Sequence, residues 1–289
     1  MTLRPLSMLL CGWLLALAGL QAQTPVANYS FTGSAKDLSA NGNTAAVHGA
    51  LLAQDRFGWA NNAFSFDGEQ SFLEAPNEAA LNSNYTTVAF WIKVNALPVS
   101  GEAYPLTFGG WQERWKISLP THGKLVWTTN NSSGISDMDA GGGNELVPGV
   151  WKHVVFVHDG TKDIIYFNGV QVAEKNVSGT LNSTTKPLGI GYNAVDGGNF
   201  LDGVLDEVQI YASALSAAQI ASLYATQNTP PTVVPGLVAS YPFSKNTLDL
   251  STFGNHAWAT DVAATTDRFG FGNSAFQFNG TSSEIKASN

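Results

Sequence analysis

The chain has 289 residues, room for one β-sandwich of about 200 residues and a remainder. Only 12% of residues are charged, against a usual ~25%, while glycine and aromatic residues are plentiful; this suits a turn-rich sandwich and argues against a helical bundle. Fourteen basic residues against 22 acidic ones give a net charge of −8, which argues against nucleic acid as a partner, because phosphate binding needs a basic patch.

Residues 1–22 carry Arg4, then an apolar run over 6–20, then Ala22 as a cleavage residue. This predicts a secretory signal peptide and a protein that is secreted or held at the cell surface, with no membrane span left after cleavage. Cys11 lies in this run, behind Leu10 where a lipoprotein signal has a small residue. It is the one cysteine, so the mature chain has neither disulfides nor a thiol nucleophile.

A first strand is predicted over 26–31, with Tyr29 and Phe31 on one face. Asp37 to Asn43 is a polar loop, and Asp55-Arg-Phe-Gly58 is a turn. The strand over 63–68 runs into Asp67-Gly68 and predicts a hairpin with 72–75 as the return strand. Residues 86–95 are apolar on both faces, as in a central strand covered on two sides. Shorter strands are predicted at 106–108, 115–119 and 124–128. A long strand over 150–160 ends in Asp159-Gly160, and 163–172 is a hairpin turning at Asn168-Gly169. A strand at 188–192 leads through Asp196-Gly-Gly198 to the stretch 203–224.

That stretch reads as a strand, a stop and a helix. Val204, Asp206, Val208 and Ile210 share one face; Leu205, Glu207, Gln209 and Tyr211 share the other. The aliphatic face is assigned to the core, so Asp206 is expected to point inward, where a carboxylate needs an ion, a hydrogen bond or a metal. Asp206 and Glu207 are then expected on opposite faces, unable to share a substrate. Ser216 fits as an N-cap with Gln219 at the capping-box position, and Ile220, Leu223 and Tyr224 follow at helical spacing. About a dozen short strands and one helix predict an all-β, antiparallel two-sheet sandwich.

Leu205-Asp-Glu-Val-Gln-Ile-Tyr211, followed by Ala214-Leu-Ser-Ala-Ala-Gln-Ile-Ala-Ser-Leu-Tyr224, resembles the closing signature of bacterial laminin-G-like jelly-roll domains. These belong to the concanavalin-A-like lectin/glucanase superfamily. Phe64-x-Phe-Asp-Gly68, Trp151-x-His153-Val154 with Asp159-Gly160, and Ile165-Tyr-Phe-Asn-Gly169 resemble its earlier motifs, in the same order. The resemblance covers 24–225. It implies a jelly-roll sandwich with one short C-terminal helix and leaves the ligand open.

Residues 226–235 form a proline-rich linker. Beyond it, 236–289 repeat the start of the domain without a gap: Ala239-Ser-Tyr-Pro-Phe243 matches Ala27-Asn-Tyr-Ser-Phe31, and Asp267-Arg-Phe-Gly270 matches Asp55-Arg-Phe-Gly58. About 20 of 50 positions are identical. This predicts a tandem array, with the second copy truncated in this sequence and the chain a fragment of a longer protein. The aromatics Tyr241, Phe243, Phe276 and Phe278 are expected to lack the burial of their counterparts.

Chemistry is sparse. A glycosidase on this fold needs two carboxylates about 5–5.5 Å apart, or farther apart for inversion, and no Glu-x-Asp-x-x-Glu pattern occurs. No Gly-x-Ser-x-Gly elbow and no His-x-x-x-His zinc pattern occur. His153 is assigned to the core and His158 to a solvated turn. Calcium is the ion considered, because it takes oxygen ligands from Asp, Asn and carbonyl groups in loops. Its candidates are Asp37, Asn43 and Asp206, with Asp67 weaker. The alternative is that Asp37 and Asn43 cap a turn and Asp206 accepts backbone hydrogen bonds.

Glycan candidates are Trp111 and Trp115 in Trp111-Gln-Glu-Arg-Trp115, Trp127, and Tyr192 with Asn193. Trp111, after Gly109-Gly110, is expected to be exposed; for Trp115 and Trp127 a place in the sandwich core is the favoured alternative. The function expected is an exported, non-catalytic module that binds carbohydrate or another cell-surface ligand for adhesion, calcium-stabilised, in an array. A structural spacer without ligand is the alternative, and a glycoside hydrolase-associated domain the third.

Overall fold

A computed structural model describes residues 23–230, 236–241, 243, 246–247, 249, 251, 253–268 and 275–287. The expected signal peptide and residues 231–235 of the linker lie outside the described residues. The strands of the main domain are β1 (Ala27–Tyr29), β2 (Ala46–His48), β3 (Leu51–Ala53), β4 (Ala63–Asp67), β5 (Phe72–Ala75), β6 (Thr86–Val94), β7 (Glu102–Phe108), β8 (Trp115–Pro120), β9 (Val126–Asn131) and β10 (Gly134–Asp139). They continue with β11 (Lys152–His158), β12 (Lys162–Phe167), β13 (Val170–Asn176), β14 (Leu188–Ile190) and β15 (Asp202–Tyr211). A short helix, α1 (Gly110–Glu113), follows β7, and α2 (Ala217–Gln227) follows β15.

Two antiparallel sheets form the sandwich. The helix-side sheet runs β13-β12-β11-β6-β15-β4-β3, with β1 also paired to β15; the open sheet runs β10-β9-β8-β7-β14-β5-β2. This is the jelly-roll architecture expected from the motifs. Alternation on each strand supplies the core between the sheets. Val88, Phe90, Ile92 and Val94 of β6 face Trp115, Ile117 and Leu119 of β8 and Trp127 of β9, all buried. Trp127 packs on Trp115 at 5.7 Å and on Phe156 at 5.6 Å between ring centres.

The second face of β6 is also covered, as its apolar composition predicts. Ala89, Val155, Val157, Tyr166 and Tyr211 bury against Leu215 and Ile220 at the start of α2. The helix begins where the sequence places it: Ser216 Oγ accepts from Gln219 N–H, and Gln219 Oε1 accepts from Ser216 N–H. It runs two residues past the expected domain end, so the linker starts after Gln227.

Three expectations are corrected. First, β4 and β5 are not a hairpin. β4 pairs with β15 and β3, while β5 pairs with β14 and β2 in the opposite sheet. Asp67 Oδ1 accepts from the N–H groups of Glu69, Gln70 and Ser71, and this wider turn carries the chain from one sheet to the other.

Second, His158 is buried, not solvated. It shares the core-facing parity of Val154 and Phe156; its Nδ1 lies 2.8 Å from Asp163 Oδ1 and its Nε2 2.9 Å from the Gly179 carbonyl. Thr129 on the open sheet donates to the same Asp163, so this network ties the two sheets together.

Third, the face assignment along β15 fails at its middle. The register against β6 slips between Asp206 and Gln209, and Glu207 has φ 50. Glu207 is the extra residue of a β-bulge, and an extra residue inverts the alternation. Leu205 therefore faces the core before the bulge, Val208 and Ile210 after it, and Asp206 points outward beneath α2.

The second copy reproduces local structure. Strands β16 (Ala257–Thr260) and β19 (Glu284–Ala287) pair as β2 and β5 do, and β17 (Ala263–Thr265) and β18 (Ala275–Gln277) pair as β3 and β4 do. Phe278 is exposed where its counterpart Phe66 is buried.

Candidate functional site

The outward residues of the open sheet fall in register. Ala46, Glu74, Gly189, Thr107, Lys116, Thr128 and Asp137 stand directly opposite one another across all seven strands. This row is polar, with a carboxylate near each end and one lysine near its middle. Lys116 Nζ contacts Glu102 Oε1 and lies 3.2 Å from Tyr104 Oη, and Tyr104 Oη donates to Glu102 Oε1 at 2.8 Å. Thr128 donates to Asp137. Burial opposes ionisation of Glu102, yet hydrogen bonds from Lys116 and Tyr104 hold its carboxyl below the usual range. Burial, then Glu102, pushes the Tyr104 phenol up, with Asp196 and Asp137 adding to it.

The loop between β14 and β15 lies down on this face because Gly189 leaves room. A Cβ there would meet Ala194 Cβ at 2.8 Å and Thr107 Cγ2 at 2.9 Å. Tyr192 is thereby buried, its ring tilted against Phe72 at 4.0 Å between centres, and donates to Glu74. Asn193 is buried too; its Oδ1 accepts from Val195 N–H at 3.0 Å and its amide reaches Asn199. Both hold the loop's shape and present little surface to a ligand, which corrects their assignment as a binding rim. The half-buried Phe72 and Phe200 are the aromatic surface there.

Trp111 is 46% exposed. Gly109 and Gly110, at φ 72 and 58, turn the chain sharply after β7, and a Cβ on Gly109 would lie 2.7 Å from Thr184. The turn leaves the indole exposed, and side-chain amides tie down the backbone that carries it. Asn130 Nδ2 donates to the carbonyls of Trp111 and Gln112, Asn182 Nδ2 donates to Asn130 Oδ1, and Gln112 Nε2 donates to Asp196 Oδ2 at 2.9 Å. Trp115 and Trp127, 1% and 0% exposed, alternate inward on β8 and β9 and fill the core. Buried there, neither indole offers a face to a ligand, contrary to the expectation that they take part in glycan binding. The residues the sequence did not single out are Tyr104, Lys116, Glu102 and Asp137, whose alignment depends on strand register.

The four calcium candidates occupy three separate places. Asp37 is buried and accepts from Asn28 N–H, Ser39 N–H, Ser39 Oγ and Asn43 N–H. Asn43 closes that loop, and its carbonyl accepts from Tyr29 Oη. Asp67 is on the β4–β5 turn, where the N–H groups of Gln70, Glu69 and Ser71 hold its carboxyl far below the usual range. Asp206 pairs with Arg56. No group of three or more His, Cys, Asp or Glu residues placed to hold a metal ion occurs among the described residues. The oxygens are spent on N–H and O–H donors, so the set does not fit calcium as a shared ligand shell.

Asp206 and Glu207 both line one cleft of about 380 Å³ between the Asp55–Trp59 turn, the bulge and the end of α2. The expectation that these neighbours face apart is thus overturned by the bulge. Burial raises both carboxyls, and Arg56 acts against the rise. Arg56 also donates to the Gln227 carbonyl and stacks over Trp91 at 4.8 Å.

No helix among the described residues is long and apolar enough to cross a membrane. A family model of the concanavalin A-like lectin/glucanases superfamily, Laminin_G_3, matches residues 67–221. No match is found among curated proteins. Solved structures share the fold. The binding domain of Paraclostridial Mosquitocidal Protein 1 superposes with a TM-score of 0.59 at 20% identity, over 73% of this chain and 54% of that one. Domain 4 of AbnA, a GH43 extracellular arabinanase from Geobacillus stearothermophilus in complex with arabinotriose, gives 0.56 at 22% identity, over 71% of this chain and 100% of that one. The botulinum neurotoxin serotype G binding domain gives 0.58 at 16% identity, over 73% and 53%. The chain thus spans about half the length of the toxin domains it matches.

Proposed function

The chain belongs to the concanavalin A-like lectin/glucanases superfamily, and from that premise we propose that it is an exported, non-catalytic module that binds carbohydrate at the open sheet and its Trp111 rim. The observation that carries this reading is Trp111: an exposed indole on a Gly-Gly turn whose backbone is tied to Asn130, with Asn182 bonded to Asn130 and Gln112 to Asp196. An aromatic face takes the C–H side of a sugar ring, and fixed amides take its hydroxyls. Solved relatives include toxin binding domains and an arabinanase domain carrying arabinotriose, which supports binding as the role of this architecture. The carboxylates of the open face are each tied to a neighbour, Glu102 to Lys116, Glu74 to Tyr192 and Asp137 to Thr128, which favours recognition over proton transfer.

The test is calorimetric titration of the full chain with neutral oligosaccharides, beginning with arabinotriose. Binding that is lost in Trp111→Ala, with an unchanged melt, upholds the reading. No heat from any member of the panel, or equal binding by Trp111→Ala, overturns it and leaves the spacer as the better account.

A further inference from the structure

The cleft at the β15 bulge lies on the opposite sheet from Trp111 and has polar atoms that the fold does not use. Asn62, 9% exposed, has a buried Oδ1 without a hydrogen-bond partner among the described residues, and Gln227, 8% exposed, has a buried Nε2 without one among them. Buried polar atoms are rarely left unpaired, because each has given up its hydrogen bonds to water. Both residues line the cleft. So does Glu207, which accepts no hydrogen bond from any described residue. The other Gln227 amide atom, Oε1, is already taken by Trp91 Nε1.

The charge around these atoms is one-sided. Asp55, Asp206 and Glu207 line the cleft from the main domain, and Asp249 of the second copy lines it as well. Arg56 is the one cation among the lining residues, and its guanidinium is committed to Asp206 and the Gln227 carbonyl. Trp59, half-buried, supplies an aromatic wall. The unspent groups are therefore two acceptors, Glu207 and Asn62 Oδ1, and one donor, Gln227 Nε2.

We propose that this cleft binds a protonated amine with a neighbouring hydroxyl, the pattern a hexosamine unit presents, through Glu207, Asn62 and Gln227. The ammonium N–H groups donate to Glu207 and Asn62, the hydroxyl oxygen accepts from Gln227, and the ring lies against Trp59. A volume of about 380 Å³ is within the range of small-ligand sites. The site is independent of the Trp111 rim.

The test is heteronuclear NMR titration of the full chain with glucosamine, N-acetylglucosamine and glucose. Glucosamine is expected to shift the Asn62 and Gln227 side-chain amides and the Trp59 indole, with the two neutral sugars about tenfold weaker or worse. Glu207→Gln, with an unchanged melt, and Asn62→Leu are each expected to weaken glucosamine about tenfold, and Trp111→Ala to leave it unaltered. Equal binding of glucose, equal binding by Glu207→Gln, or no shift at these three residues would overturn the proposal. Loss of arabinotriose binding at Trp111 would not bear on it.

Discussion

Arg56 and Asp206, 150 residues apart in sequence, meet beneath the last turn of α2. The same guanidinium holds the Gln227 carbonyl, so one side chain fastens the Asp55–Trp59 turn, the central strand and the helix end together. Removing one partner of a buried pair leaves a bare charge, at a cost of about 3–5 kcal/mol. Arg56→Ala is expected to lose that much in urea unfolding. The loss is largest at high pH. Burial raises the folded-state pKa of Asp206, so the carboxyl can protonate as pH falls and the penalty then shrinks. The paired replacement Arg56→Met with Asp206→Leu is expected to cost far less.

His153 gives the main domain an acid limit. Burial, with Arg56 nearby, pushes it down to about 3, against the opposing pull of the Gln227 side chain. An unfolded histidine binds its proton near pH 6.5. Between these values the unfolded chain holds one more proton, so stability is full above about pH 6.5 and falls by about 1.4 kcal/mol per pH unit below it. Urea midpoints at pH 7.5 and 5 measure the slope. His153→Phe is expected to remove that contribution.

The three tryptophans of the glycan candidate set divide by burial. Trp115→Ala and Trp127→Ala are each expected to destabilise by about 3–5 kcal/mol, as other buried aromatics do when truncated. Trp111→Ala is expected to change stability by less than about 0.5 kcal/mol. Comparable losses at all three would contradict the placement of Trp111.

Glu207 sits in the left-handed region, where a side chain costs about 1–2 kcal/mol and glycine costs nothing comparable. Glu207→Gly is expected to raise stability by about 1 kcal/mol while abolishing the glucosamine shifts. A destabilised Glu207→Gly would show that the carboxylate serves the fold.

The Asp37 loop is expected to be indifferent to calcium. Four donors already occupy its carboxylate, so a chelator should leave the thermal midpoint unmoved, whereas Asp37→Ala should lower it. A midpoint that drops on chelation would return calcium to this loop.

The architecture was legible because its signals are local. Asn168-Gly169 forms the predicted two-residue turn between β12 and β13, with φ 50 and 79, and Ser216-x-x-Gln219 caps the helix as read. Other features depend on where strands go. Asp67-Gly68 has hairpin chemistry, yet the turn is one that changes sheets, and nothing in those two residues tells the cases apart. The bulge was hidden because its left-handed residue is a glutamate, where a glycine would have marked it. That single extra residue reversed the face of Asp206 and placed Glu207 beside it. The polar row on the open sheet was equally hidden, since Lys116, Thr128 and Asp137 become neighbours only through pairing register. His158 was misplaced for a related reason: a histidine next to Asp-Gly reads as solvated until Asp163 is seen across the hairpin.

β15 pairs with β1, β4 and β6, and those strands precede it by more than a hundred residues. A chain made from its N-terminus therefore carries β1 and β4 without their neighbour until Ile210 has emerged. The helix-side sheet closes in one late event, with long loops to bring together first. A nascent chain stopped anywhere before Gly203 has no strand to join its two halves, so quality control by proteolysis can act on every premature product until the last tenth of the main domain is made.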